Sequence, residues 1–177
     1  DWVPYPRRGK KAEIDIKLVN NFTDQGHIPV MVFHYRHQAA LPLGSKLAFQ
    51  PGLSAGFAFG DSIPYPYRSY LGGLGYYHQA VFPFVGMKYM ERAANHAVIV
   101  KADFQYNITG NHYVMWRNNV AQSFDKLSNL YSVPDLIFGT GITYGFDSPV
   151  GPIEATMMLS NNSWKPILFV NIGYWIR

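Results

Sequence analysis

The chain contains no cysteine, which excludes a disulfide framework, a thiolate metal centre and a cysteine nucleophile. Charge is sparse as well. Asp, Glu, Lys and Arg make up 15% of the 177 residues, against about 25% in ordinary soluble domains. Long apolar runs are also missing: no stretch approaches the roughly 18 consecutive apolar residues of a membrane-spanning helix, so a helical membrane protein is excluded. A net charge of +4 would permit a nucleic-acid partner, but the cations are scattered and form no run beyond Arg7-Arg8 and Lys10-Lys11. No nucleic-acid partner is therefore expected. The opening residues, Asp1-Trp2-Val3-Pro4, have neither an initiator Met nor the layout of a signal peptide, which predicts a processed chain or part of a longer one.

What is present is apolar and aromatic: 48% of residues are hydrophobic and 16% are Phe, Trp or Tyr. Disorder is excluded by that content. The apolar residues recur at every second position, the period of a strand with two unlike faces. Ala12, Ile14, Ile16 and Leu18 oppose Glu13, Asp15 and Lys17; Met31, Phe33 and Tyr35 oppose Val32, His34 and Arg36. The same alternation predicts strands at roughly 11–19, 28–37, 45–60, 97–107, 111–120, 136–147, 152–160 and 166–177, about eight in all.

Such strands build either a soluble sandwich or a barrel in lipid, and the second face decides between them. A sandwich turns that face to bulk water and fills it with Lys, Glu and Thr. Here it carries Gly, Ser, Gln, Asn and scattered charges of both signs, which suits a crowded polar lumen. The expected fold is an all-β, antiparallel transmembrane barrel, integral to an outer membrane and in contact with its lipid. Compact connections at 38–44, 109–111 and 148–152 alternate with long ones at 61–95 and 118–135. That alternation places the compact turns, and the N-terminal end, on the periplasmic side.

Three motifs invite a chemical reading. Gly52-Leu53-Ser54-Ala55-Gly56 matches the nucleophile elbow of serine hydrolases, yet the alternation runs unbroken through it, so Ser54 reads as a small inward residue in mid-strand. His34 and His37 fall on opposite faces of one strand and cannot share a metal. Asp103, Asp147 and Glu154 read as partners for Lys and Arg across strands, not as an acid pair. No catalytic residue, metal or cofactor is assigned. The stretch 65–73 is too rich in Pro, Gly and aromatics for a strand, and it lies in a long outer loop, 61–95, expected to fold inward with Arg68 paired to wall carboxylates. Lys88 to Asn95 reads as a short helix.

The run Gly141-Ile142-Thr143-Tyr144-Gly145-Phe146-Asp147-Ser148-Pro149-Val150-Gly151-Pro152-Ile153-Glu154 resembles the penultimate hairpin of BamA-like outer-membrane barrels. Asn171-Ile172-Gly173-Tyr174-Trp175-Ile176-Arg177 is similar to the terminal strand signal read by the barrel assembly machinery, although it ends on Arg177. Tyr70-Leu71-Gly72-Gly73 with Phe82-Pro83-Phe84-Val85-Gly86-Met87-Lys88-Tyr89-Met90-Glu91 resembles the barrel of bacterial patatin-like phospholipases. The resemblance implies a barrel of 16 strands, of which this chain supplies the C-terminal half, and a lumen-plugging loop with Arg68, Ser69 and Tyr70 at its tip. Ser69 stands where that family has Gly. It further implies that Ser148, Pro149, Gly151 and Pro152 form a periplasmic hairpin turn, and that Asn171, Gly173, Tyr174, Trp175 and Ile176 form the assembly signal. The chain lacks the patatin Ser-Asp dyad, so the implied role is to anchor, export or position a phospholipase domain outside it. The N-terminal remainder of the barrel, or other chains, must close the sheet. A self-contained barrel of about eight strands is the alternative, as a small structural or binding protein or a subunit of an outer-membrane assembly complex; its narrow lumen would not hold an inward loop.

Overall fold

The computed structural model describes residues 4–23, 26–75, 79–131 and 136–173. The strands are β1 (Gly9–Thr23), β2 (Gly26–Pro42), β3 (Leu47–Phe59), β4 (Ser69–Leu71), β5 (Val81–Phe82), β6 (Arg92–Ala94), β7 (His96–Thr109), β8 (His112–Phe124), β9 (Ile137–Ser148), β10 (Gly151–Ser160) and β11 (Ile167–Ile172). Eight of them form one antiparallel meander in the order β1-β2-β3-β7-β8-β9-β10-β11. Among the described residues the sheet is not closed on itself: β1 and β11 each have one neighbour.

The period-two sequence produces two faces that differ in chemistry. On the outer face Ile14, Leu18, Val100, Ile142, Leu168 and Ile172 are all exposed. Each would gain about 1.5 to 3 kcal/mol on leaving water, so this face is built for hydrocarbon. Aromatic side chains band it at two levels. Phe49, Phe104 and Trp116 stack across β3, β7 and β8 with ring centroids 5.0 and 5.8 Å apart. Nearer the other end, His96 lies 5.7 Å from Phe57 and 5.3 Å from Phe124. His96 and Phe104 are eight residues apart on β7, about 27 Å at the rise of an antiparallel strand. That spacing matches the ~25 Å apolar band between the aromatic girdles of outer-membrane barrels.

Several strands are longer than their alternation suggests. β1 and β2 stay paired from Gly9↔Ala40 to Thr23↔Gly26, so the expected compact turn at 38–44 starts as strand and the chain turns at 43–46. The run Gln38-Ala39-Ala40-Leu41-Pro42 has too little polarity contrast to show its period. β8 likewise continues to Phe124 instead of ending near 120. The turns after β2, β7 and β9 share one end of the sheet, here the short-turn end. At the opposite end the connections at 60–95 and 125–136 are long, but only residues 24 and 25 separate β1 from β2, and 161–166 join β10 to β11. Loop length therefore alternates less strictly than expected.

Segment 61–95 makes its own small sheet, β5-β4-β6, with β4 parallel to β5 and antiparallel to β6. Two expectations are corrected here. Ser69–Leu71 is a strand despite its Pro- and Gly-rich surroundings, because a 3-10 turn at Tyr65–Tyr67 absorbs the prolines first. The helix expected over 88–95 is absent: Met90 adopts a left-handed φ of 52° and Arg92–Ala94 form β6.

Candidate functional site

Segment 61–95 lies on the inner face of the large sheet and buries an apolar core there. Leu71, Phe82, Phe84 and Met87 pack on Ala97 and Ile99 of β7, Ala121 of β8 and Ile137 of β9. A second cluster joins Ile63 and Tyr67 to Val30 and Val32 of β2 and Ala58 of β3. The wall contributes small side chains where the segment comes close. At Gly139 of β9 a Cβ would overlap the carbonyl oxygen of Val85 and come 2.8 Å from the Phe84 ring, so glycine alone permits this approach.

Polar side chains of the wall hold the segment's main chain. Arg36 of β2 donates through Nη2 to the carbonyl oxygens of Gln79 and Val81, the latter at 3.4 Å, and its guanidinium lies 5.0 Å from the Phe82 ring centroid. Lys17 of β1 donates to the Gln79 side chain. The buried His34 meets Phe82 edge-on at 5.5 Å, with Nδ1 3.6 Å from Asp15 Oδ2. At the far side Ser160 Oγ donates to Gly86 O at 2.7 Å, and Asn162 Nδ2 to Glu91 Oε1 at 2.7 Å.

Arg68, Ser69 and Tyr70 occupy this segment, but their contacts differ from those expected. Arg68 Nε donates to Ile63 O at 3.3 Å and its guanidinium covers the Tyr65 ring at 4.7 Å, both within its own loop. Among the described residues it has no ion pair with a wall carboxylate. The Tyr70 hydroxyl donates to Tyr65 O at 2.7 Å, and Ser69 is buried over Gly56. The cations that grip across the interface are on the wall, at Arg36 and Lys17, and oxygens of Gln79 and Val81 on the loop receive them. The sequence carried one signal for this: Arg36 shares the inward face with Val32 and His34, where a lone cation needs a partner.

Below the segment, toward the short-turn end, the inner face is polar. Arg117 Nη2 of β8 meets Glu154 Oε1 of β10 at 3.4 Å and its Nε donates to Thr143 Oγ1 at 2.9 Å. Asp103 Oδ1 accepts from the Asn118 backbone N–H at 3.1 Å. Glu154 thus has the cross-strand cation expected of it. Ser54 is buried in the middle of β3, with no turn into a helix after it, so no nucleophile elbow forms. A cavity of about 380 Å³ separates this region from the loop above and is lined by Lys11, Gln50, Lys101, Asp103, Arg117 and Glu154 with Pro83 and Val85 of the loop.

Residues 4–7 cross the short-turn end. Tyr5 is buried and its ring stacks on Tyr113 at 4.2 Å and 14°. Burial raises the pKa of its phenol above the ordinary value, and the Glu154 carboxylate adds to the effect. The hairpin turn at Pro149-Val150 is tight: Ser148 Oγ donates to Gly151 O at 2.5 Å, and Gly151 takes a φ of 112° that favours glycine. Asn171 Nδ2 donates to Gly173 O at 3.1 Å, while Gly173 N–H donates to Pro152 O at 2.8 Å and ties the last strand to that hairpin. Tyr174, Trp175 and Ile176 lie outside the described residues.

An open antiparallel meander, apolar outside and polar inside, with a long connection packed on its inner face, defines the wall of an outer-membrane β-barrel. The family model described as the OMP85 superfamily matches residues 1–176, and the chain belongs to that superfamily. It is an outer-membrane barrel protein of the BamA-like kind. No curated protein matches the chain.

Proposed function

We propose that this chain is the C-terminal half of the wall of a 16-stranded outer-membrane barrel whose lumen is plugged by segment 61–95, and that the barrel anchors and exports or positions a patatin-like phospholipase domain. The observation that carries the barrel half is the pair of sheet edges. β1 and β11 each leave one row of backbone groups unpaired in the sheet, and each such group costs several kcal/mol in hydrocarbon. Strands from the remainder of the barrel, or from other chains, satisfy them; an even strand count allows β11 and β1 to be bridged by further antiparallel strands. A closed barrel of eight strands is filled by its own side chains, whereas the inner face here carries a further layer of chain with its own core.

The plug reading rests on the wall-to-loop contacts of Arg36, Lys17, Ser160 and Asn162. The phospholipase reading rests on the likeness of 70–73 and 82–91 to barrels of patatin-like proteins. In this reading the chain itself is structural, the short-turn end with Ser148, Pro149, Gly151 and Pro152 faces the periplasm, and Asn171 to Ile176 engage the barrel assembly machinery during insertion. An antibody raised against 163–177 tests it on denatured outer membranes. A band several-fold larger than 20.1 kDa, whose native form hydrolyses phospholipid acyl esters, is expected. A band near that mass, or a larger one without esterase activity, contradicts the phospholipase anchor.

A further inference from the structure

We propose that residues 4–7 are a displaceable strap that closes the short-turn mouth of the lumen, with the polar cavity as a chamber between the strap and the loop above. The strap runs across the inner ends of the strands instead of continuing β1. Gln50 Nε2 of β3 donates to Pro6 O at 2.8 Å, and Gln105 Nε2 of β7 donates to Tyr5 O at 3.3 Å. The two amides are themselves joined at 2.8 Å. Tyr5 then stacks on Tyr113 of β8 and its ring lies over Gly145 of β9, where a Cβ would come 2.8 Å from Tyr5 Cζ. Arg7 Nη2 closes the other side by donating to Gly44 O at 2.7 Å. One short segment therefore touches four consecutive strands and a turn.

Its composition suits the position. Pro4 and Pro6 hold an extended backbone and present no N–H, so a chain crossing a polar mouth leaves fewer donors to satisfy. Pro4 and Pro6 also line the cavity, whose opposite side is Leu74, Pro83 and Val85 of the loop. The two closures are unequal in strength. The loop is held by an apolar cluster of eight buried residues. The strap is held by one stacked ring and a few hydrogen bonds, an arrangement that favours release over permanent closure.

The absence of cysteine from these 177 residues supplies the test. Met115 is buried and lines the chamber. Met115→Cys is introduced into the full-length protein in outer-membrane vesicles opened to the periplasmic side, and its modification by a membrane-impermeant maleimide is followed by mass spectrometry of the peptide that carries it. The strap account expects Tyr5→Ala to speed labelling about tenfold, and Gly145→Leu, which fills the Tyr5 seat from the wall, to do the same. Tyr5→Ala lies outside the strands, so it remains informative if Gly145→Leu impairs folding. Equal labelling rates in the parent and in Tyr5→Ala, with heat-modifiable mobility unchanged, overturn the strap. The readout is independent of any phospholipase activity, so failure here leaves the proposed barrel role standing.

Discussion

Arg36 on the second strand of the wall places its guanidinium 5.0 Å from the ring centroid of Phe82, deep in the long connection, while donating to the carbonyl oxygens on either side of Ala80. One residue thus combines a charge-assisted hydrogen bond with a cation–π contact across the interface between wall and loop.

Replacing Arg36 with Ala removes both contacts and leaves loop carbonyls facing the polar wall unpaired. A loss of about 2 kcal/mol in plug docking is expected, read as faster protease cleavage within 61–95 of the folded barrel. Arg68→Ala, whose contacts stay inside the loop, should give a smaller change. Equal effects from the two variants would contradict the assignment of the grip to the wall.

Gly139→Ala probes the close approach. Its Cβ would overlap Val85 O, and a backbone carbonyl cannot move aside as a flexible side chain can, so the plug must lift or the strand must bend. Overpacking of this kind costs about 1 to 3 kcal/mol. The midpoint of heat modification on gels should fall, whereas Gly110→Ala, at a site with open space around it, tests only the cost of its left-handed turn. An unchanged midpoint in Gly139→Ala would show that the plug does not rest on β9.

How much of this was legible beforehand depends on where each interaction comes from. Ile14, Ile16, Val100 and Ile142 announced their face because strand geometry alone converts spacing into sidedness. The placement of Ser54 in mid-strand followed from the same rule. Arg36 and Gln79 could not be matched, because they are 43 residues apart and their meeting depends on how the connection folds back. Nor could Tyr5 be placed: nothing local in Pro4-Tyr5-Pro6 points to Tyr113 or Gly145. The helix expected at 88–95 failed because Met90 turns left-handed inside a local turn, closed by the Glu91 N–H donating to Lys88 O and the Lys88 N–H donating to Glu91 Oε2.

The ion pair between Arg117 and Glu154 sits on the half-buried inner face at 3.4 Å. Glu154→Leu alone leaves the guanidinium short of its counter-charge and should cost about 1 to 3 kcal/mol. Adding Arg117→Met should recover most of the loss, measured as the urea midpoint of refolded barrel. No recovery in the double variant would mean that Arg117 acts mainly through Thr143.

The strap should also respond to alkali. Burial raises the Tyr5 phenol pKa above its ordinary value near 10. A raised folded-state pKa means that the contribution of the docked phenol is complete below the ordinary value and is lost as pH rises toward the docked one. Labelling of Met115→Cys by a reagent whose reactivity is corrected for thiolate should therefore rise above about pH 10. Tyr5→Phe should remove that rise; its persistence would place the titration elsewhere.

The central claim is that the apolar face of this sheet meets lipid and the other face does not. Single spin labels placed in turn at 12 through 18 along β1, where every position already carries a side chain, measure it directly in reconstituted membranes, as collision with oxygen dissolved in the bilayer against collision with a polar nickel chelate. A period of two is expected, with labels at Ala12, Ile14, Ile16 and Leu18 oxygen-accessible and labels at Glu13, Asp15 and Lys17 shielded. Uniform exposure to the nickel chelate along β1, or oxygen access with no alternation, would contradict a membrane-spanning wall.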